Sequence, residues 1–471
     1  MIAKSRLKEY NSKDTIAAIA TPLAASALGV IKISGRESLP IISKIFKSVK
    51  NKNLKTAKTF TLHYGWIIER PKIKNQKSKI VDEVLVSVMK APNSYTKEDV
   101  VEVSCHGGVV ILDKILKLIL KHGSRMALPG EFTYRALING RIDLLQAEGV
   151  AAAIEAKTSQ ALEEASFQLQ GLRSKKTLLL KEKVKDLFVE TESLINFPEE
   201  EAKISYSELE KKIIHLMKEF KGLLSGSKTA KILREGIRCV ICGKANAGKS
   251  TLFNRLLREE RVIVSKIPGT TRDVIEETIQ VKGLPLRIFD TAGILEPGDL
   301  IESQAIDKAN EIFSQADLVI MVLDGFKKLN SQDYLLLNKA KDKNTLVVIN
   351  KSDLVQKIEI KKILPFGFDI VKMSALKNIG LKDLEDSIYR LVLSGPIKRE
   401  NLIFLNSYQQ TALETAQQDL CRALECLKQK QTIDFINICL KDCLESLGRL
   451  NGEVLTEEIL ESIFGRFCIG K

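Results

Sequence analysis

Apolar residues recur along this chain with different spacings, and each spacing predicts a different kind of element. Residues 14 to about 120 contain five short apolar or alternating runs, separated by turns that contain Lys, Pro and Gly: "TIAAIA", "LGVIKIS", "FTLHYGWII", "DEVLVSVM" and "VVEVSCHGG". Such runs predict β-strands. The run "VILDKILKLILKHG" then has apolar residues at helical spacing, and Gly123 stands where a glycine helix cap is expected. We predict an α+β domain over residues 1–124.

Helical spacing dominates the next region and returns at the end of the chain. "LLQAEGVAAAIEAKTSQALEEASFQLQGLRS" is rich in strong helix formers, and "FPEEE" predicts the acidic first turn of another helix. Between the helical regions, runs such as "DLVIMVLD" and "TLVVIN" lack alternation, which is typical of parallel strands covered on both faces. We predict a discontinuous helical domain over 125–235 and 393–471, with a mostly parallel α/β domain over 236–392 inserted into it.

Length and charge narrow the class of protein. The 471 residues exceed what one compact core usually holds, and 44% hydrophobic with 28% charged residues is ordinary for a folded globular chain. No run approaches the roughly 20 apolar residues of a membrane span, and the charged N-terminus does not resemble a secretory signal, so we expect a cytoplasmic protein without a membrane span. The net charge of +14 fits either a nucleic-acid partner or a lysine-rich surface without one.

The cysteines indicate neither a disulfide framework nor a metal site. There are eight, at irregular spacings. Cys239 and Cys242 have the C-x-x-C spacing of some redox and metal sites, but they fall in a run that predicts a buried strand. Side chains three residues apart on a strand point to opposite faces. We therefore expect both to be core residues.

The stretch "CGKANAGKST", residues 242–251, contains a G-x-x-x-x-G-K-S motif between a predicted strand and a predicted helix. That context is what a phosphate-binding loop requires, because backbone amides and Lys249 then face the phosphates. Ser250 stands where such loops bind Mg²⁺. The stretch predicts a nucleotide site.

Three further elements follow in order along the chain. "PGTTRD" offers the hydroxyls of Thr270 and Thr271 to Mg²⁺ and the γ-phosphate, "DTAG" ends a predicted strand, and "NKSD" follows "TLVVI". Asp353 decides the base, because its carboxylate accepts two hydrogen bonds from the N1–H and 2-amino groups of guanine. The stretch "SAL", residues 374–376, is expected to supply backbone amides to the guanine oxygen. These elements predict a Ras-like P-loop GTPase domain. The predicted GTP-binding residues are Asn246, Ala247, Gly248, Lys249, Ser250, Thr251, Ser265, Thr270, Thr271, Asp290, Thr291, Ala292, Gly293, Asn350, Lys351, Asp353, Ser374 and Ala375.

The group that supports hydrolysis is less obvious from these motifs. Ras-type enzymes orient water with a glutamine after "DTAG", but Ile294 stands there, and no arginine finger is evident. A K⁺ ion beside the amide of Asn246 is a candidate for the missing charge. The alternative is that Asn246 only stabilises the loop. Acidic residues at 296, 299 and 302 are candidates for orienting the water.

Longer stretches carry a family resemblance over nearly the whole chain. They are "DTIAAIATP", "APNSYTKEDVVEVSCHGG", "PGEFTYRALINGRIDLLQAEGV", "FPEEE" and the terminal "FCIGK". On these residues the chain resembles the bacterial tRNA modification GTPase MnmE (TrmE) family. The resemblance implies an N-terminal domain that binds a tetrahydrofolate derivative, in its 5-formyl or 5,10-methylene form, and makes a homodimer.

The resemblance also implies an activity and a partner. Together with an FAD protein of the MnmG (GidA) type, in a heterotetramer, the family adds an aminomethyl-type group (carboxymethylaminomethyl) at C5 of the wobble uridine of certain tRNAs. Its GTPase domains pair across K⁺. The implied residues are Asn246, Ser265, Ile267 and Thr270 for K⁺; Ser250 and Thr271 for Mg²⁺; Glu302 for the attacking water; Lys32, Glu98, Arg141 and Lys471 for folate; and Cys468 as the essential terminal cysteine, catalytic or structural.

Some stretches depart from the family pattern. The glycine-rich "PGRGG" of the family is "PLAASA" here, at 22–27, which affects the expected folate loop. Leu295 replaces a common arginine, and "NSYQQ" at 406–410 is a weak form of a basic stretch.

Two alternatives to the modification enzyme are a regulatory or ribosome-assembly GTPase and a folate-dependent aminomethyltransferase with a vestigial GTPase domain. The intact nucleotide motifs speak against the latter.

Overall fold

The computed structural model describes residues 14–49, 53–70, 78–196, 206–260, 276–290, 311–393 and 399–454, and, near the C-terminus, 460, 463–465 and 467–470. The chain forms two compact units, one of residues 1–151, 169–216 and 406–471, the other of residues 152–168 and 217–405. This division differs from the three predicted domains, whose boundaries stay a prediction. Among the described helices, none is long and apolar enough to cross a membrane.

The first unit begins with a seven-stranded sheet in the order β3-β4-β5-β6-β2-β1-β7. Its pairs are antiparallel except β1 with β7. The elements are β1 (Ile16–Ile19), β2 (Ser26–Ser34), α1 (Ser38–Ile45), β3 (Phe46–Ser48), β4 (Thr61–Glu69), β5 (Lys79–Met89), β6 (Val100–Gly107), α2 (Val109–Lys121), β7 (Arg125–Met126) and α3 (Glu131–Ile138). The five longer strands and α2 confirm the prediction. The strands β3 and β7 were not predicted, since two or three residues are too few to show alternation.

The two faces of this first sheet differ in burial. Alternate residues, among them Ile31, Val86 and Val103, are fully buried with α1 and α2 in one core. Each such side chain contributes about 1.5–3 kcal/mol relative to exposure. On the other face Tyr64 pairs with Leu85, and both are exposed. The sheet therefore keeps an apolar surface outside its own core.

Six further helices of the described residues come from the middle and from the end of the chain. The helices that lie wholly in the first unit are α6 (Leu172–Asn196), α11 (Ser407–Lys428) and α12 (Ile433–Asn451). The helices α4 (Leu144–Glu155), α5 (Ser159–Leu169) and α7 (Tyr206–Glu235) are divided between the two units. The Thr177 and Thr191 hydroxyls of α6 donate to the Asn451 and Asn437 side chains of α12, at 2.6 and 3.1 Å. The helix start predicted at "FPEEE" lies outside the described residues.

The second unit contains a six-stranded sheet in the order β13-β12-β11-β8-β10-β9. Its elements are β8 (Ile237–Cys242), α8 (Lys249–Glu260), β9 (Glu276–Val281), β10 (Leu284–Asp290), β11 (Leu318–Asp324), α9 (Ser331–Lys339), β12 (Thr345–Asn350), β13 (Asp369–Lys372) and α10 (Leu381–Val392). All pairs are parallel except β9 with β10, which confirms the mostly parallel sheet. The edge strand β9 was not predicted, because polar residues dominate it.

Strand β8 lies at the point where the order of this sheet reverses. It has β10 on one side and β11 on the other. In open α/β sheets, ligands bind outside the carboxyl ends of the strands at such a switch point. The topology therefore places the candidate site after Cys242, at the "CGKANAGKST" stretch.

Candidate nucleotide-binding site

The predicted phosphate loop joins β8 to α8. Gly243 has φ +141° and Gly248 has φ +100°, conformations that side chains rarely adopt. A Cβ atom would stand 2.2 Å from the Val322 carbonyl oxygen at Gly243, and 2.1 Å from Asn350 Nδ2 at Gly248. Both positions therefore require glycine, for backbone conformation and for space.

Lys249 begins α8 and its side chain is buried within the loop. Its Nζ donates to the Lys244 carbonyl oxygen at 2.9 Å. The next two residues, Ser250 and Thr251, are exposed in the first turn. The amides and positive dipole end of a helix start favour anions, and a hydroxyl in that turn can bind a metal ion held by the phosphates. The loop fits a Mg²⁺-bound phosphate chain.

Asn350 connects three of the predicted nucleotide motifs. It ends β12 and is 3% exposed. Its Nδ2 donates to the Ala247 carbonyl oxygen at 2.9 Å, and its Oδ1 accepts from the Ala375 amide at 3.0 Å. Because both bonds are buried, one side chain holds the phosphate loop, "NKSD" and "SAL" in a single arrangement.

Asp353 lies exposed after this asparagine, as a base-recognising carboxylate should. A hydrogen bond from the Ser374 side chain lowers the pKa of Asp353, and Lys377 and Lys351 lower it further. The carboxylate is therefore ionised at neutral pH and able to accept two hydrogen bonds. Ser374 is itself buried and accepts from the Lys377 amide at 3.2 Å.

Two acidic residues at this site were missed by the sequence reasoning. Asp324, at the end of β11, accepts from Lys351 Nζ at 2.7 Å. Asp333, in the first turn of α9, accepts from Lys244 Nζ at 2.6 Å. The only sequence signal was an N-x-x-D helix start at 330–333, since neither aspartate belongs to a nucleotide motif.

Part of the predicted site lies outside the described residues. The exposed Asn246 has φ +63° in the phosphate loop, and Asp290 is the last residue of β10. The residues outside are Ser265, Ile267, Thr270, Thr271, Thr291, Ala292, Gly293, Glu302 and Lys471. The K⁺ ligands, the Mg²⁺ contact of Thr271 and the water-orienting acid therefore stay predictions.

The residues assigned to folate lie in the first unit. Glu98 accepts from Ser34 Oγ at 2.6 Å and from Arg135 Nη1 at 3.0 Å. Lys32 lies two residues before Ser34 on β2, with its Nζ 3.7 Å from Glu102. The Arg141 guanidinium lies 4.7 Å from the centre of the Tyr95 ring. These internal contacts leave the folate assignment a prediction.

The C-terminal tail packs against the same unit. The Cys468 carbonyl oxygen accepts from the Gly130 amide at 3.4 Å, just before α3, while its side chain is exposed. A Cβ atom on Gly470 would stand 2.7 Å from the Ile19 carbonyl oxygen. The tail therefore brings Cys468 close to the start of α3, and Gly470 close to the end of β1.

Cys239 and Cys242 are core residues, as predicted. Cys239 packs with Ile241 in one hydrophobic cluster, and Cys242 packs with Val240 in another, so the pair points to opposite faces of β8. Burial raises the pKa of Cys242 to about 12 and raises that of Cys239 as well. Across the described part of the chain, no cluster of three or more metal-ligating side chains is present.

Comparison with known proteins agrees with the site. The family model of the GTP-binding protein TrmE N-terminus matches residues 15–141, and that of the MnmE helical domain matches residues 144–468. The tRNA modification GTPase MnmE of Clostridioides difficile (strain 630) is 46% identical over 462 residues, 97% of this chain and 99% of the relative. That of Bacillus subtilis (strain 168) is 40% identical over 463 residues, 97% of this chain and 100% of the relative.

Proposed function

The chain belongs to the MnmE family of tRNA modification GTPases, and from this premise we propose that it hydrolyses GTP to drive a modification of tRNA. The observation that carries the proposal is the Asn350 side chain, which holds the phosphate loop and the guanine-recognising turn together. GTP binds with Mg²⁺, for which Ser250 and Thr271 are the proposed ligands. The positive net charge of +14 suits a polyanionic substrate such as tRNA.

The proposed reaction adds a carboxymethylaminomethyl-type group at C5 of the wobble uridine. In this scheme a tetrahydrofolate derivative supplies one carbon, and an FAD protein of the MnmG type supplies the redox chemistry. The assignment of Lys32, Glu98, Arg141 and Lys471 to folate rests on the family resemblance. Titration with 5-formyltetrahydrofolate tests it, and an absence of saturable binding would remove folate from the scheme.

GTP hydrolysis is proposed to depend on K⁺. A bound K⁺ would neutralise phosphate charge in the place of an arginine finger, held by Asn246, Ser265, Ile267 and Thr270. Two observations support this: Ile294 cannot orient water, and Asn246 is exposed in the phosphate loop. Glu302 is the proposed water-orienting acid.

The proposed assembly is a homodimer through the N-terminal domain, joined by the flavoprotein into a heterotetramer. The exposed face of the first sheet supports the homodimer, since Leu62, Tyr64 and Leu85 are 61%, 49% and 40% exposed on adjacent strands. Contiguous apolar surface of this kind marks interaction sites. Sedimentation of the wild type and of a Tyr64→Lys variant tests this, and a monomeric wild type would contradict it.

The decisive experiment is mass spectrometry of wobble uridines from a strain that lacks the protein. We expect the modified nucleosides to disappear and to return when the wild-type chain is supplied. Cys468→Ser should restore GTPase activity without restoring the nucleosides if the thiol is catalytic. If the nucleosides return with this variant, Cys468 is structural.

Unchanged nucleosides in the deletion strain would instead favour the regulatory or ribosome-assembly GTPase. That outcome would leave the nucleotide site intact and would remove the modification chemistry.

A further inference from the structure

Two lysines of the nucleotide motifs are held by carboxylates of one segment. This segment, residues 324–333, runs from the last residue of β11 to the first turn of α9 and is called the brace below. Asp324, at its start, accepts from Lys351 Nζ of "NKSD" at 2.7 Å, and Asp333, at its end, accepts from Lys244 Nζ of the phosphate loop at 2.6 Å. The brace therefore contacts both halves of the nucleotide site.

The carboxylate of Asp324 is fixed before it meets Lys351. Its other oxygen accepts from the Phe326 amide at 3.0 Å, and its side chain is only 10% exposed. The following residue, Gly325, donates its amide to the Asn350 carbonyl oxygen at 2.9 Å. The start of the brace is thus joined to the base-recognising turn through backbone as well as side chain.

Lys351 needs such support because its backbone is unfavourable. It has φ +64°, in the left-handed region that favours glycine. Its carbonyl oxygen accepts from the Leu354 amide at 3.0 Å and from Gln356 Nε2 at 2.9 Å. Strained residues of this kind persist where the surroundings hold them and where a functional group must be aimed. Here the turn aims Asp353, two residues further on.

Asp333 is held in the same manner at the other end. One of its carboxylate oxygens accepts from both the Asn330 amide, at 3.0 Å, and Lys244 Nζ. The first of these bonds is half of the capping box that starts α9. The Lys244 carbonyl oxygen in turn accepts from Lys249 Nζ at 2.9 Å. Asp333 is therefore linked through Lys244 to the lysine that faces the phosphates.

We propose that Asp324 and Asp333 are positioning residues of the nucleotide site. Asp324 orients the guanine-recognising turn through Lys351, and Asp333 orients the phosphate loop through Lys244. Each carboxylate acts through the lysine from which it accepts a hydrogen bond. The inference rests on the proposed GTP site and deepens it. Selectivity for guanine depends on the Asp324 end of the brace, and affinity for the phosphates depends on the Asp333 end.

Paired ligands separate the two ends. Inosine triphosphate lacks the 2-amino group that Asp353 is expected to bind, so the ratio of GTP to ITP affinity reports how well that carboxylate is aimed. Asp324→Asn should lower this ratio by roughly 3- to 10-fold, the effect of weakening a charged hydrogen bond. Asp324→Glu should restore part of it. Lys351→Met removes the same ion pair from the other side and should lower the ratio too.

The opposite end is measured with GDP and GMP. Asp333→Asn should lower the ratio of GDP to GMP affinity by roughly 3-fold or more, and should leave the GTP to ITP ratio unchanged. Asp386→Asn is the matched control, because Asp386 pairs with Lys282 on the surface of the same unit. It should change neither ratio.

The results distinguish this inference from the function on which it rests. A wild type that does not prefer GTP to ITP would contradict the guanine site itself. If the wild type prefers GTP, and Asp324→Asn and Lys351→Met both keep the wild-type ratio, the positioning role of Asp324 is wrong. An unchanged GDP to GMP ratio in Asp333→Asn would overturn the role of Asp333.

Discussion

Two regions of the molecule use the same charged residue types in opposite ways. Around strand β7 and helix α3, a charged cluster of Asp14, Glu98, Arg125, Glu131 and Arg135 bonds mostly within itself. Arg135 and Glu131 are each 1% exposed and lie 3.0 Å apart. At the nucleotide loops, Asp353 and Ser250 are exposed, although residues around them are buried.

The difference concerns what is left open for a ligand. In the charged cluster, Glu131 accepts two hydrogen bonds from Arg125, at 2.6 and 2.8 Å, and one from Arg135. At the nucleotide loops, buried groups such as Asn350 bond to the backbone and fix the loops. The exposed groups Asp353 and Ser250 are therefore held in position and remain able to bind a ligand. Charges that satisfy each other can stay buried in a fold, whereas charges that are held in place but remain exposed can bind a ligand.

The largest expected effect breaks the charged cluster. Arg135→Met should destabilise the protein by about 3–5 kcal/mol, because it leaves the buried Glu131 with less compensation. Urea unfolding monitored by circular dichroism measures this. Arg125→Met is the matched control: it contacts the same Glu131 but is 29% exposed, so its cost should be smaller. Equal and small costs for both would contradict a structural role of the cluster.

The next effect concerns the phosphate loop and should appear mainly as a loss of GTP affinity. Gly248→Ala places a methyl group 2.1 Å from Asn350 Nδ2 at a positive φ. We expect GTP affinity to fall by about 100-fold, or about 2.7 kcal/mol, measured by calorimetric titration. A variant with normal affinity would show that the loop adjusts, and one that unfolds would remove the contrast with Arg135.

Hydrolysis should respond more modestly to the cation. Replacing K⁺ by Na⁺ should slow GTP turnover by about 10-fold, or about 1.4 kcal/mol, with binding retained. Equal rates in the two salts would contradict the K⁺ proposal.

Glu302→Ala should lose most GTP turnover in either salt while still binding GTP. Normal turnover in this variant would mean that another group orients the attacking water.

The smallest effect concerns an ion pair of the first unit in which the His106 side chain is exposed and the Asp82 side chain is buried. His106 Nδ1 lies 2.7 Å from Asp82 Oδ1, and this hydrogen bond, with the charge of Asp82, raises the pKa of His106. The His106–Asp82 pair makes its full contribution to the free energy of unfolding below the ordinary histidine pKa of about 6.5. This contribution is lost as the pH rises through the higher pKa that His106 has in the folded state. NMR titration should show a lower pKa for His106 in Asp82→Asn. The same value in both proteins would contradict the pairing.

Local sequence identified the motifs of the candidate nucleotide site. The phosphate loop, "NKSD" and "SAL" are short motifs whose residues lie within a few positions of one another, and the buried strands between them show as unbroken apolar runs. The brace escaped prediction because Asp324 and Lys351 are 27 residues apart, and Lys244 and Asp333 are 89 apart. No periodicity reports a pairing over such separations.

The residues assigned to folate also have contacts that the sequence motifs do not reveal. Sequence marked Glu98 by resemblance, but its partner Arg135 is 37 residues away. Only the packing of α3 beside the 94–99 loop brings the two together. Whether Glu98 binds a ligand or only closes the charged cluster therefore depends on contacts that the motif does not contain.

By itself, the sequence determined which residue types stand in the phosphate loop and the guanine turn, and where apolar runs form the strands of the second sheet. These features follow from local conformation and hydrophobic periodicity. The tertiary structure alone decided which charges neutralise one another and which stay open. That outcome depends on burial and on distances between residues far apart in the chain, because desolvation and Coulomb energy follow position in space.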